Sequence, residues 1–356
     1  MSLKNNKYAR RLAAALMTGT MMVSMLGMTA MAQGGEPVTV GFQKVLNMTD
    51  AVGASVPDVT FTYKIEKGTA VGATESTLEI KAGVGTPTVA NAVFSHEDSI
   101  ANNKVTEDVT VTFPEGTFTE PGIYRYVVTE NNDHGNDDIT NDPSAIRYLD
   151  VYVNNELKII GSVLLKEATA PNKNSQYSQE KKSSGYENTY ETYDLSLDKV
   201  VEGNMGDKGK TWSFTIEFTG PANASFKMGE EEITLDSEGK ANATVWLKDA
   251  DTAKVIQGIP STVTYKITET INKSEGYTTT CTVNEVSKAM TANEEDTNVS
   301  TETITMGKAD NAVVVTNTRS ASTPTGVILN IAPYILMVAL AGVLAFFFLR
   351  KRRYDL

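Results

Sequence analysis

Two lysines stand where apolar residues are expected. In the alternating run Val38, Val40, Phe42, Lys44, Leu46, one face is apolar except for Lys44, and in Leu195, Leu197, Lys199, Val201 the same holds for Lys199. Each lysine is followed by a glutamate that closes a Tyr-x-Val/Ile-Thr-Glu phrase, Glu130 after Tyr126 and Glu269 after Tyr265. Each set ends on an asparagine in an alternating run, Asn188 with Tyr186 and Tyr190, and Asn317 with Val313 and Val315. An amine, a carboxyl and a carboxamide facing a core can do one particular piece of chemistry. Desolvation lowers the lysine pKa and yields a nucleophilic amine, and it raises the glutamate pKa so that a protonated carboxyl can polarise the amide carbonyl. Attack of the amine on the asparagine side chain with loss of ammonia leaves a Lys–Asn isopeptide bond. A partly buried lysine that snorkels its head to solvent is the plainer reading of either half alone. The recurrence of the whole set in the same order favours two crosslinks, Lys44 to Asn188 and Lys199 to Asn317.

That chemistry needs the first and last strands of each half to be neighbours. Alternating segments at 59–66, 108–113, 122–130 and a hairpin over 147–166 read as strands of the first half. Segments at 212–218, 262–269, 277–286, 302–306 and 311–318 do so in the second, with short strands over 224–255 broken at Gly229 and Gly239. The fold expected is all-β: two tandem immunoglobulin-like β-sandwich domains, residues 33–190 and 191–320. The stretch 68–103 is rich in Gly, Ala and Thr and carries no clear period. The segment 168–182 reads as a polar surface loop. The Asn/Asp-crowded loop 131–142 lacks the glycine and glutamate of an EF-hand loop and reads as a solvated turn, so no metal site is assigned.

Composition narrows the function. The 356 residues carry a formal net charge of −12, and the balance is more negative still between the two basic ends. Such a surface repels nucleic acid. The two histidines, His96 and His134, have no nucleophile beside them in any recognisable motif, and there is no Gly-rich phosphate loop, so neither an enzyme nor a cofactor is expected. Cys281 is the single cysteine, lies in a strand-like run and reads as a small buried apolar residue.

The ends describe an exported, anchored chain. Lys4, Lys7, Arg10 and Arg11, then an apolar stretch, then Ala30-Met31-Ala32, read as a signal peptide over 1–32. An uncharged run over 327–349 is long enough to cross a bilayer as a helix, and the basic tail 350–356 holds the C-terminus inside. Pro324-Thr325-Gly326 immediately precedes that span. This resembles the sortase sorting signal of Gram-positive surface proteins, shortened from Leu-Pro-x-Thr-Gly, and together with Ala332-Pro333-Tyr334 it is similar to the tail of streptococcal T-antigen-type major (backbone) pilins. The phrases at 59–66 with Lys44 before it, 126–130, 186–189, 195–203, 265–269 and 315–318 extend the resemblance over nearly the whole exported chain.

The resemblance implies a structural protein of the cell surface, a pilus shaft subunit. It implies that Glu130 and Glu269 assist the two bonds and that a sortase cuts between Thr325 and Gly326, within the signal 322–326 of the C-terminal segment 321–356. It further implies that a lysine late in the first domain of the next subunit accepts Thr325; Lys181 is the first choice, with Lys182 and Lys173 behind it. The partners implied are the sortase, neighbouring subunits, other pilins and peptidoglycan. The alternative is a wall-anchored adhesin, or a minor or basal pilin, that binds a host receptor.

Overall fold

The computed structural model describes residues 38–321, together with 337, 338, 340 and 341. The expected signal peptide, the motif 322–326 and the basic tail lie outside the described residues. So does most of the run 327–349, of which the four described residues are helical. Among the described residues no helix is long and apolar enough to cross a membrane.

Residues 38–321 are all-β, with two short 3₁₀ turns at Gln179–Lys181 and Lys273–Glu275. They form two domains, each with two main sheets and its own core; the first also has a two-stranded sheet of Val59–Phe61 and Ala92–Phe94. In the first domain, one sheet lays Thr88–Val89, Lys104–Phe113, Val38–Asp50, Gly185–Glu191 and Ile139–Thr140 side by side. The facing sheet runs Ile159–Leu165, Ile146–Val153, Gly122–Glu130 and Tyr63–Lys67. The second domain repeats the plan with Tyr193–Glu202 beside Asn311–Thr318 in one sheet, and Lys240–Leu247, Trp212–Thr219 and Thr264–Thr270 in the other.

The opening strand of each domain pairs in parallel with its closing strand, Val38–Asp50 with Gly185–Glu191 and Tyr193–Glu202 with Asn311–Thr318. Strict alternation sets which side chains enter the core: Phe42, Lys44, Leu46 and Met48 are buried while the residues between them are not. Gly185 lets the closing strand enter against the opening one. A Cβ there would lie 1.6 Å from the Gln43 carbonyl oxygen, so only glycine fits.

Several elements differ from the sequence expectation. Residues 68–103 hold the short strands Lys81–Ala82, Thr88–Val89 and Ala92–Phe94. Met290–Ala292 and Asn298–Thr301 form an additional hairpin that extends the second domain's sheet, and the expected strand 302–306 shrinks to Ile304–Thr305. These pieces are too short to show a period. The two domains touch through hydrogen bonds between Ser55 and Ser225 at 2.9 Å, and from the Ser261 amide to the Asp138 carboxylate at 2.9 Å.

Candidate functional site

The six residues singled out by type and spacing are gathered into two clusters, one in each domain. Lys44, Glu130 and Asn188 are at most 2 % exposed, and Lys199, Glu269 and Asn317 are 0 % exposed. In the parallel strand pairs, Leu46 faces Asn188 and Val201 faces Asn317. Each lysine therefore lies two residues before the partner of its asparagine, one side-chain step along the same inward face. The glutamates come from the opposite sheet, at the end of Gly122–Glu130 and within Thr264–Thr270.

In the first cluster Lys44 Nζ donates to both Glu130 oxygens, at 2.9 and 2.7 Å, and to Asn188 Oδ1 at 2.5 Å. It lies 4.1 Å from the centre of the Phe61 ring. Asn188 Oδ1 also accepts the Asp142 backbone amide at 3.0 Å, and Asn188 Nδ2 donates to Asn141 Oδ1 at 3.2 Å. In the second cluster Lys199 Nζ is 3.0 Å from Glu269 Oε1 and 4.8 Å from the Trp212 ring. Asn317 Nδ2 donates to Glu269 Oε1 at 2.7 Å, and Asn317 Oδ1 accepts from the Thr279 hydroxyl at 2.7 Å. Sequence reasoning has the glutamate polarise the carbonyl oxygen; Glu269 instead meets the nitrogen side of the amide.

Burial pushes both lysines down from 10.5 to about 8, opposed by the attraction of Glu130 on Lys44 and of Glu269 on Lys199. Burial likewise pushes the Glu269 carboxyl up, opposed by Lys199. Removing an ammonium from water costs several kcal/mol unless it is paired. Two lysines held this way in a dry core are therefore poised to give up a proton, and the nearest proton acceptor in each case is the glutamate.

Two family models match this chain, one over each domain. Residues 40–191 match the family described as Spy0128-like isopeptide containing domain, and residues 193–319 match a domain family of unknown function. The first domain is a Spy0128-like pilin domain. A curated protein of Streptococcus pyogenes serotype M1 named Pilin is 27% identical over 95% of this chain and 98% of its own length. The major pilin protein T-13 of Streptococcus pyogenes has a solved structure that is 26% identical, with a TM-score of 0.54, covering 81% of this chain and 98% of that one. A second solved structure, the major pilin from Streptococcus pyogenes, matches with a TM-score of 0.56 and 24% identity over 82% of this chain and all of that chain.

The acceptor candidates Lys173, Lys181 and Lys182 precede the closing strand Gly185–Glu191 that carries Asn188. Lys181 ends the 3₁₀ turn Gln179–Lys181, its side chain is 37 % exposed, and it pairs with Glu167, which pulls its pKa up. Lys182 is half-buried and bridges to Leu165; Lys173 is exposed. The segment that carries them is not the plain surface loop expected. Tyr177 is buried and donates to Asp150, and Asp150 holds Arg125 through two bonds of 2.7 and 2.6 Å. Arg125 in turn donates to the Thr169 carbonyl. Period two put Arg125 on the face away from the core, so sequence gave no sign that a folded-back segment covers it. Asn141, Asp142 and Thr279 were missed for a related reason: a lone polar residue in a turn or on a half-buried strand looks the same whatever it touches.

Proposed function

We propose that this chain is a pilus shaft subunit whose two domains are each stapled by an autocatalytic Lys–Asn isopeptide bond. The observation that carries the reading is the repetition: two buried amine, carboxyl and amide clusters in the same parallel register in both domains.

The chemistry runs within one molecule. The glutamate takes a proton from the buried ammonium. The neutral Nζ attacks the asparagine Cγ; the Nζ–Cγ bond forms and the Cγ–Nδ2 bond breaks. The protons leaving Nζ pass through the glutamate to the departing nitrogen, so that ammonium is released and one amide replaces another. The bond forms once per cluster, which makes the chain a self-modifying structural protein and not an enzyme. Each staple ties the opening strand of a domain to its closing strand and closes a loop of roughly 100 residues or more, where a crosslink restricts the unfolded chain most.

Assembly is the second half of the proposal. A sortase cleaves between Thr325 and Gly326 and passes the Thr325 carbonyl to the amine of Lys181 on the next subunit, giving a covalent fibre at the cell surface. Incubating the exported chain with a pilin sortase tests this. A ladder of covalent multimers is expected, with Thr325 joined to Lys181 in the linked peptide. A single unshifted band would remove the shaft reading and leave a stapled surface protein.

A further inference from the structure

Besides the lysine, the glutamate and their register, the two clusters share one further feature: a hydrogen-bond donor from a third group points at the asparagine Oδ1. In the second domain it is the hydroxyl of Thr279, at 2.7 Å. Thr279 sits directly across from Asn317 in the antiparallel pair formed by Thr278–Val283 and Asn311–Thr318. In the first domain it is the backbone N–H of Asp142, at 3.0 Å. That backbone is fixed because the Asp142 carboxylate is gripped by Arg147 through bonds of 2.9 and 2.8 Å and accepts the Glu187 amide at 2.9 Å.

An unactivated carboxamide is a poor electrophile. When an amine adds to it, the negative charge of the tetrahedral intermediate collects on the oxygen, and a preorganised donor at that oxygen is worth most in a water-free site. Glu269 faces the nitrogens and not the oxygen of Asn317: its Oε1 accepts from Nδ2 at 2.7 Å and lies 3.0 Å from Lys199, and its Oε2 makes no hydrogen bond. Glu130 is likewise turned to Lys44 through both oxygens. In the second domain the carboxyl meets both nitrogens, while in the first it meets Lys44 and Asn188 Nδ2 donates to Asn141; in neither does it contact the asparagine oxygen.

We propose that Thr279 is a catalytic residue of the second crosslink, its hydroxyl stabilising the oxyanion on Asn317 Oδ1. The Asp142 amide does the same for Asn188, with Arg147 as its positioning residue. This rests on the crosslinking read above. As in that reaction, Nζ–Cγ forms, Cγ–Nδ2 breaks and ammonium leaves; Thr279 donates a hydrogen bond and keeps its proton.

The test follows bond formation in the full chain after a short pulse of synthesis, with samples quenched in acid and both crosslinked peptides quantified by tryptic mapping. Thr279→Val keeps the β-branched shape and removes the donor, and Thr279→Ser keeps the donor. The Lys199–Asn317 bond is expected to form at least about tenfold more slowly in Thr279→Val, at near-normal rate in Thr279→Ser, while Lys44–Asn188 forms at the unaltered rate in both. Thr279→Ala serves as a second donor-free variant and should match Thr279→Val. Equal rates for Lys199–Asn317 in the unaltered chain and both donor-free variants would overturn the inference while leaving the crosslinks standing. Absence of either bond from the unaltered chain would overturn the crosslinking reading and this inference with it.

Discussion

Lys199 lies two residues before Val201, the register partner of Asn317, and Lys44 stands in the same relation to Leu46 and Asn188. The offset is the same in two domains that differ in loop lengths and in the number of strands per sheet. A covalent link between these side chains therefore joins the two strands a pulling force would have to separate.

Glutamate variants should separate the two domains. Glu130→Ala is expected to abolish only the Lys44–Asn188 bond and Glu269→Ala only Lys199–Asn317, each read by peptide mapping. Loss of a staple removes about 3–5 kcal/mol of restraint on the unfolded chain, and unfolding scans should show one transition lowered and the other unmoved. Bonds that persist in both variants would take the proton-transfer role away from the carboxyls.

A chain with the first staple blocked should reveal the buried amine through pH. With Asn188→Ala, Lys44 has nothing to attack. The folded form then releases its proton near 8, well below the ordinary 10.5 that the unfolded chain keeps. Between those values the unfolded state binds more protons, so stability should rise with pH, by at most about 1.4 kcal/mol per unit. Buried tyrosines such as Tyr126, pushed up to about 12 by desolvation, act in the opposite sense above 10. The Cys281 thiol, pushed up by burial from 9 to about 11, does so above 9, so the clean window is pH 8 to 9, and the comparison is denaturant unfolding of Asn188→Ala against the same chain carrying Lys44→Met. Parallel pH profiles would mean that Lys44 is not the group responsible.

The acceptor prediction is equally specific. Lys181→Arg keeps the charge opposite Glu167 but removes the primary amine, and it should abolish sortase-dependent multimers while leaving both intramolecular bonds intact. Lys182→Arg and Lys173→Arg should polymerise normally. Loss of the ladder in Lys182→Arg alone would reassign the acceptor by one residue.

Arg125 and Asp150 are expected to hold the acceptor segment in place. Arg125 is 1 % exposed and Asp150 fully buried, so Asp150→Asn strands a buried guanidinium at a cost of about 3–5 kcal/mol. It also weakens the grip on Tyr177. Limited proteolysis should then cut within 168–182 faster than in the unaltered chain. Unchanged resistance would show that the segment is held by its other contacts.

Much of this was legible in the sequence because alternation is a strong signal. A lysine on an apolar face, seen twice in the same order with its glutamate and asparagine, marked the residues that the fold brings together. Sequence could not say which side of the amide the glutamate meets, since that depends on sub-ångström placement across two sheets. Nor could it find Thr279, whose partner is set by the antiparallel register with Asn311–Thr318. The short strands after residue 68 and the hairpin at 290–301 escaped because their pairing comes from tertiary packing, which local propensity does not encode.

The most direct test of the account is the intact mass of the folded segment 33–325. A deficit equal to two ammonia molecules, with tryptic peptides linking Lys44 to Asn188 and Lys199 to Asn317, is the predicted result. A mass equal to that of the uncrosslinked sequence would contradict it.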